Sequence, residues 1–506
     1  MPHVVTIAPH APTRADVVAV ARHDAPVELS DDALEAITRS RAIVDALADE
    51  DTGHYGVSTG FGALATLHIP RDRRVQLQRS LIRSHAAGSG PEVEREVVRA
   101  LMLLRLSTLA TGRTGVRRET AAAYATMLNA QVTPVVYEYG SLGCSGDLAP
   151  LAHCALAAMG EGKVRDASGA LRDAADVVEP ITLHEKEGLA LINGTDGMLG
   201  MLILAIEDLG NLLVAADITA AMSVEGLLGT DRVFAADLQA LRPQHGQARS
   251  AENIRRVLDG SPIVASHRGP EDTRVQDAYS LRCAPQVAGA ARDTVAHAAA
   301  VADRELAAAI DNPVITLDGR VESNGNFHGA PIGYVLDFLA IAVADVASMA
   351  ERRTDRFLDK ARSHGLPPFL ADDPGVDSGL MIAQYTQAAI VSELKRLANP
   401  ASVDSIPSSA MQEDHVSMGW SAGRKLRRAL EGLTQVLAIE LLTAGRGIAL
   451  RAPLRPAAAT AAVIDALGGG GPGPDRFLAP EIEAATEFVK FGGARRAAET
   501  VTGELT

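Results

Sequence analysis

The sequence predicts a mainly α-helical protein, and three observations support this fold class. Aromatic residues make up only 3% of a chain rich in alanine and leucine, a composition that favours helix over strand. Long stretches carry apolar residues at helical spacing. Alternation typical of β-strands is short and scattered, as at 135–137 and 314–317.

Three stretches account for the predicted long helices. The first begins near Pro91 and ends at Gly112, the second covers 336–350, and the third covers 421–442. The second should end soon after 350, because a helix dipole favours cations at its carboxyl end and two arginines follow there: Arg352 and Arg353.

Glycine-rich and polar segments separate these stretches. Segment 139–146 is a glycine-rich turn, 468–474 reads as a flexible connector, and 244–266 is expected to be polar and irregular. A soft boundary near position 195 divides the chain into an N-terminal region, 1–195, and a C-terminal helical-bundle region, 196–506.

Length and charge exclude several classes of protein. A chain of 506 residues can bury a large core, and its net charge of −15 argues against nucleic acid or an anionic membrane as a partner. Three cysteines cannot form a disulfide framework. With neither a signal peptide nor a good membrane span in the sequence, we expect a cytoplasmic globular protein.

The segment GSLGCSGDLAP, at 140–150, has several possible interpretations. The simplest interpretation is structural: a glycine turn before a helix capped by Ser145 or Asp147. A nucleophile elbow requires a second glycine where Asp147 stands, so that motif fails. Cys144 remains open as a thiolate nucleophile, although the sequence around it carries no known signature.

A further interpretation involves the backbone itself. Gly146 has no Cβ, so its nitrogen can approach the carbonyl carbon of Cys144 at little steric cost. Ring closure with loss of two waters, one of them from Ser145, would give a methylidene-imidazolone, which is a strong electrophile. A helix that begins just after this ring would increase its electron demand.

Seven motifs, in order along most of the chain, resemble the aromatic amino acid lyase family, and most closely its members that act on histidine. This resemblance implies a fumarase/aspartase-like fold, with a long central helical bundle and a smaller N-terminal α-rich region that carries a lid loop. It also implies a homotetramer whose sites draw on several subunits. The motifs are HYGVSTGFG (54–62), RSHAAGSGP (83–91), GSLGCSGDLAPLAH (140–153), LINGTDG (191–197), VQDAYSLRCAPQ (275–286), NGNFHG (324–329) and QEDHVSMG (412–419).

The resemblance also implies a self-made cofactor and the group that removes a proton. The cofactor is 4-methylidene-imidazol-5-one (MIO), formed from Cys144, Ser145 and Gly146 without any external cofactor. Tyr55 is the candidate base for the β-proton of the substrate.

A second group of residues would bind and orient the substrate. Gln276, Tyr279 and Cys283 share one face if their segment is helical. By resemblance, Tyr279 is a catalytic residue that acts with Gln276 through hydrogen bonds, and Asn193 contacts substrate and cofactor. Arg282 would bind the substrate carboxylate, since a guanidinium can do so bidentately.

The pair Ser84-His85 indicates the substrate, because in this family Ser-His at these positions goes with histidine. His85 and Glu413 would hold the imidazole, and Phe327 would pack against it. The resemblance therefore implies non-oxidative elimination of ammonia from L-histidine to give trans-urocanate, the first step of histidine degradation.

The chain departs from the family pattern at two positions. Cys144 stands where alanine is common, and Met411 stands where asparagine is common. No metal is expected, because the histidines, including His153, His328 and His415, lack the usual ligand spacings.

Three alternatives stay open at this stage. An aminomutase of the same family would return the nitrogen to the β-carbon. A serine or cysteine hydrolase would keep the Ser145 hydroxyl, and a non-catalytic helical scaffold would show no turnover.

Overall fold

The computed structural model describes residues 4–50, 54–60, 67–269, 272 and 275–506. Helices dominate these residues, which confirms the mainly α prediction. They are α1 (Arg14–His23), α2 (Asp31–Ala48), α3 (Arg74–His85), α4 (Arg95–Ala110), α5 (Arg118–Asn129), α6 (Leu148–Ala158), α7 (Glu187–Ala190), α8 (Asp196–Gly226), α9 (Ala236–Ala240), α10 (His245–Leu258), α11 (Pro262–Ala265), α12 (Tyr279–Arg282), α13 (Ala284–Leu306), α14 (Ala330–Leu358), α15 (Met381–Leu397), α16 (Gly419–Ala449), α17 (Ala458–Leu467), α18 (Ala479–Lys490) and α19 (Gly493–Thr502).

The strands are short and form small sheets of two or three strands. β1 pairs with β2 in parallel, whereas β3–β5, β4–β6–β7 and β8–β9 are antiparallel. Their bounds are β1 (Val5–Ile7), β2 (Val27–Leu29), β3 (Ser89–Glu92), β4 (Thr133–Pro134), β5 (Tyr137–Tyr139), β6 (Lys163–Arg165), β7 (Leu171–Asp173), β8 (Val314–Ile315) and β9 (Val321–Glu322).

The chain forms two compact units, each built from three separate segments. The first unit comprises Met1–Leu204, Ala298–Asp337 and Pro400–Arg424. The second comprises the intervening segments: Ala205–His297, Phe338–Asn399 and Lys425–Thr506. The division of the sequence after residue 195 concerns continuous regions and stays a prediction.

The long helices appear where the apolar spacing placed them, with different ends. Helix α4 begins at Arg95, because Pro91 belongs to strand β3. Helix α14 runs on to Leu358, so the predicted end after residue 350 was wrong. Arg353 is only 2% exposed and donates to the buried Glu440 carboxylate, with 3.0 Å between Nη2 and Oε2. The position of Arg353 within α14 is therefore explained by its buried carboxylate partner and not by the helix dipole.

Two of these helices are long and apolar enough to cross a membrane by length and composition, α8 and α14. Of their most apolar windows, 78% and 61% respectively are buried within the protein. Such burial is typical of core helices in a folded domain.

The prediction of irregular structure for 244–266 was wrong, since the segment forms α10 and α11. Polar residues on α10 face inward, which hid the amphipathic pattern. Ser250 and the Asn253 amide both donate to the buried Asp217 carboxylate, the latter over 2.9 Å. The predicted connector 468–474 does lie between two helices, α17 and α18.

Candidate active site

The segment predicted to form a cofactor lies between β5 and α6, in the first unit. Gly146 has a φ of +79°, and a Cβ at this position would lie 2.1 Å from the carbonyl oxygen of Gly194. The same oxygen accepts the Asp147 N–H over 2.7 Å. Only glycine fits this close approach of two backbones.

The Asp147 carboxyl group fixes the other side of this segment. It accepts the N–H groups of Gly197 and Met198, each over 2.9 Å, and the Ser141 hydroxyl over 2.9 Å. Burial raises the pKa of Asp147 to about 7, against the lowering effect of these donors. The sequence predicted a cap for the following helix α6, but no such side-chain hydrogen bond is present on α6, and Asp147 caps α8 instead.

Two distant motifs converge on Gly143, at the start of the segment. Its carbonyl oxygen accepts the Ser417 hydroxyl over 2.8 Å and the Gly329 N–H over 3.3 Å. The Met418 N–H donates to the neighbouring Leu142 carbonyl over 2.9 Å. The structure therefore brings the motifs at 140–153, 324–329 and 412–419 together.

Glu413 lies directly beside the serine of the segment. Its carboxylate accepts the Ser145 hydroxyl over 3.2 Å and the Ser408 hydroxyl over 2.9 Å. Burial raises the pKa of the Cys144 thiol to about 12, and the Glu413 carboxylate adds to that shift. Cys144 is therefore a protonated thiol at neutral pH, which disfavours the thiolate nucleophile.

His85 ends helix α3, and its ring is electrostatically coupled to Glu413. Burial lowers the pKa of His85, an effect opposed by the Leu81 carbonyl and by the Glu413 carboxylate. Its Nδ1 lies 2.9 Å from the Leu81 oxygen, so Nδ1 carries the proton in that contact. Nε2 of the neutral ring is then a hydrogen-bond acceptor.

Three further predicted residues lie in the same unit. Asn193 is buried, and its amide donates to the carbonyls of Leu189 and Asn312, over 3.2 and 3.5 Å. Phe327 is half-buried in the motif that reaches Gly143. Tyr55 is also half-buried, and positions 61 and 62 of its motif lie outside the described residues.

The second unit holds the remaining predicted residues. Helix α12 is only four residues long, so Gln276 precedes it and the predicted common helical face does not form. The Arg282 guanidinium carbon lies 4.7 Å from the centroid of the Tyr279 ring, which is 71% exposed. Arg282 Nε is buried with no hydrogen-bond partner in the described part of the chain. This nitrogen retains the capacity to bind an anion.

Sequence reasoning missed several supporting residues. Ser408 lies outside the seven motifs, although its partner Glu413 is only five positions away. Ser417 lies inside the motif at 412–419, but its partner Gly143 is 274 positions away, so its role was not predicted. Arg105 gave a local signal: it is a charged residue within the apolar run LMLLRL of α4. Within the described ranges no cluster of three or more His, Cys, Asp or Glu is placed to hold a metal, and the rings of His328 and His415 stack with centroids 5.6 Å apart.

The helical fold and the Cys-Ser-Gly turn held by backbone hydrogen bonds indicate an enzyme that makes an electrophile from its own main chain. The family comparison agrees with this class. The family model described as aromatic amino acid lyase matches residues 13–468. The chain belongs to the aromatic amino acid lyase family.

Individual relatives refine this assignment. The chain is 64% identical to histidine ammonia-lyase from Streptomyces avermitilis over 511 residues, which cover 99% of this chain and all of the relative. The crystal structure of histidine ammonia-lyase from Trypanosoma cruzi matches with a TM-score of 0.90 and 37% identity, over 99% of this chain and 96% of that one. Tyrosine aminomutase from Streptomyces globisporus matches with a TM-score of 0.94 and 35% identity, over the whole of both chains.

Proposed function

We propose that this chain eliminates ammonia from L-histidine without oxidation and releases trans-urocanate. The observation that carries the proposal is the contact of Ser145 with Glu413, beside a neutral His85, in a chain 64% identical to a histidine ammonia-lyase. A carboxylate and a neutral imidazole together can recognise both nitrogens of a substrate imidazole.

The residues present fit a methylidene-imidazolone formed from Cys144, Ser145 and Gly146. Ring closure joins the Gly146 nitrogen to the Cys144 carbonyl carbon and releases that oxygen as water. The Ser145 hydroxyl then leaves with the α-hydrogen of the same residue as a second water. Once formed, the group supplies an electrophilic carbon that withdraws electrons from the substrate amine and makes ammonia a better leaving group.

Helix termini support this chemistry from the protein side. Helix α6 begins at Leu148, directly after the segment, and the first turn of α8 is tied to the segment through Asp147. The amino-terminal ends of helices carry partial positive charge, which stabilises negative charge that develops nearby.

The side chains then divide the work of holding the substrate and moving its proton. Arg282 binds the substrate carboxylate, and its buried Nε, which has no hydrogen-bond partner among the described residues, favours this role. His85 and Glu413 orient the imidazole, while Phe327 packs against it. Tyr55 removes the β-proton, and hydrogen bonds from Asn193, Gln276 and Tyr279 hold the reacting groups in place.

The assembly and location are proposed from the resemblance to the same family. We propose a cytoplasmic homotetramer in which one site takes Ser145 and Arg282 from different chains. The placement of these two residues in separate compact units is compatible with this sharing. Size-exclusion chromatography with light scattering measures the number of subunits.

The direct test is an assay of the purified protein with L-histidine. Urocanate absorbs in the ultraviolet, and ammonia is measured in parallel. Ser145→Ala should abolish both products without loss of the folded assembly, whereas Ser168→Ala, at an exposed serine, should leave them unchanged. Absence of urocanate from the unaltered protein would refute the proposed substrate.

One second activity has specific support, namely an aminomutase reaction. The TM-score of 0.94 with a tyrosine aminomutase shows that this fold accommodates it. Chromatography of the products separates the two reactions, because an aminomutase yields a β-amino acid. The cysteine form of the hydrolase alternative is disfavoured, since the Cys144 thiol is protonated.

A further inference from the structure

Arg105, in the middle of α4, is fully buried and reaches three backbone carbonyls. Its Nη1 donates to the oxygens of Ala190 and Asn193, over 2.9 and 2.8 Å. Its Nη2 donates to the Ile310 oxygen over 3.3 Å. These carbonyls belong to two segments far apart in sequence, so one guanidinium joins them through its rigid fork of donors.

The charge of Arg105 is balanced inside a buried cluster. Its Nη2 lies 2.8 Å from the Asp196 carboxylate. Lys186 and Asp311, both fully buried, form an adjacent ion pair that also interacts electrostatically with Arg105. Taking four charges out of water is costly, and a hydrophobic replacement often serves stability as well. A buried charge cluster here therefore points to a requirement for fixed geometry.

The turn that Arg105 holds is the one on which the cofactor segment rests. A Cβ on Gly194 would lie 2.1 Å from Arg105 Nη2, so the guanidinium is packed directly against this glycine. The carbonyl group of Gly194 lies against Gly146, and its oxygen accepts the Asp147 N–H. Arg105 is thus separated from the cofactor segment by a single residue.

We propose that Arg105 is a positioning residue for cofactor formation: it holds the Asn193–Gly194 turn against which the backbone of Gly146 must close onto Cys144. The role rests on the proposed function, because it presupposes that the ring forms. It also extends to the finished enzyme, since the Asn193 side chain is fixed by the same turn.

Lysine is the informative replacement at this position. Arg105→Lys keeps the positive charge beside Asp196, but an ammonium group is a compact point charge and cannot match the spread of the guanidinium donors. The turn should lose part of its support while the electrostatic balance persists. A displacement of about 1 Å is enough to slow a geometrically demanding step roughly 100-fold.

The same helix offers a matched control in Arg99. It too is fully buried, donates to the carbonyls of Val20 and Leu128, and lies 3.1 Å from the Asp24 carboxylate. None of these partners belongs to the motifs of the candidate site. Arg99→Lys therefore reproduces the cost of replacing a buried arginine without touching the turn at Asn193.

The experiment follows cofactor formation by mass. The unaltered chain and both variants are made by cell-free synthesis, and intact mass spectrometry at intervals measures the fraction that has lost two waters. We expect loss of water to be at least about tenfold slower in Arg105→Lys and unchanged in Arg99→Lys. The midpoint temperature of thermal unfolding should fall by a similar amount in both variants. The kcat per dehydrated chain should fall only in Arg105→Lys.

Equal rates of water loss and equal kcat per dehydrated chain in the two variants would overturn the proposed role. If Arg105→Lys is insoluble, the carboxylate partners of the two arginines provide the same comparison. Asp196→Asn then replaces Arg105→Lys, and Asp24→Asn replaces Arg99→Lys. A wild-type chain that never loses two waters would contradict the proposed cofactor and, with it, the role of Arg105. This result is distinguishable from equal rates of water loss in the two variants.

Discussion

The segment at 143–147 and the segment at 275–283 are held in opposite ways. The first is buried except for the half-buried Ser145, is packed against Gly194 and Ser417, and is fixed through backbone groups on both sides. The second carries an exposed Gln276 and Tyr279 and contains a helix of only four residues. Both contribute candidate site residues, so function alone does not account for the difference.

The difference follows from what each segment has to do. A reactive group made from the main chain requires the neighbouring backbone to be fixed, because the atoms that react are the backbone atoms themselves. A guanidinium that binds a carboxylate contributes mainly charge and a fork of donors at the end of a flexible side chain. The Arg282 guanidinium carbon lies 4.7 Å from the centroid of the Tyr279 ring, a contact that favours one orientation of the fork.

The largest effect on substrate binding is expected from the second segment. Arg282→Met should lower kcat/KM for histidine by roughly 30-fold to 5,000-fold, since loss of one partner of a desolvated charge pair costs about 2–5 kcal/mol. The variant should still lose two waters, because cofactor formation depends on the first segment. Arg242→Met, at an exposed arginine of the same unit, serves as the control and should match the unaltered protein.

Combining the inactive Ser145→Ala variant with the impaired Arg282→Met variant tests whether the two segments of one site come from different chains. Ser145→Ala and Arg282→Met subunits, co-expressed with different tags and purified through both, should regain a measurable fraction of wild-type activity. Mixed assemblies then contain some sites in which both residues are intact. Activity no higher than the sum of the separate variants would place Ser145 and Arg282 of each site in one chain.

A smaller effect is expected when Glu413 loses its charge but keeps its shape. Glu413→Gln should raise KM for histidine about 10-fold to 100-fold, because a hydrogen bond to a charged group contributes about 1.5–3 kcal/mol. Steady-state kinetics measures this change, and the exposed neighbour in Asp414→Asn provides the control. An unchanged KM would remove Glu413 from recognition of the imidazole.

The smallest effect concerns stability of the first segment as a function of pH. Burial raises the pKa of Asp147 from 3.8 to about 7, so ionisation is less favourable in the folded state than in the unfolded state. The stability contributed by the protonated form is complete below about pH 4 and is lost as the pH rises through about 7.

Urea unfolding across this pH range measures the effect. The unfolding free energy of the unaltered protein should fall relative to that of Asp147→Asn as the pH rises. Asp237→Asn, at an exposed aspartate, should show no such trend. A constant difference between the unaltered protein and Asp147→Asn would show that the carboxyl group has an ordinary pKa.

Much of the fold followed from local patterns, and much of the site did not. Apolar spacing predicted the interiors of α4, α14 and α16, because core helices in this chain are mostly apolar. It failed for α10, where the Ser250 and Asn253 side chains are buried through contacts with Asp217. Inward-facing polar residues are recognisable only once their partners are placed.

The same limit applies to the candidate site. The motifs indicated Ser145, Glu413 and His85. In the structure Ser145 donates a hydrogen bond to Glu413, and His85 interacts with Glu413 electrostatically. Asp147 caps α8, and Arg105 donates to the carbonyl of Asn193. These hydrogen bonds join residues about 50 to 90 positions apart. Long-range contacts of this kind leave only a faint local trace, such as an arginine in an apolar run.

The most direct test of this account is the intact mass of the purified chain, followed by peptide mapping. We predict a mass lower than that of the printed sequence by two waters, located within the peptide that contains Cys144, Ser145 and Gly146. Ser145→Ala should lack the loss of the serine hydroxyl. A chain of full mass that still converts L-histidine to urocanate would contradict the central claim that these three residues form the electrophile.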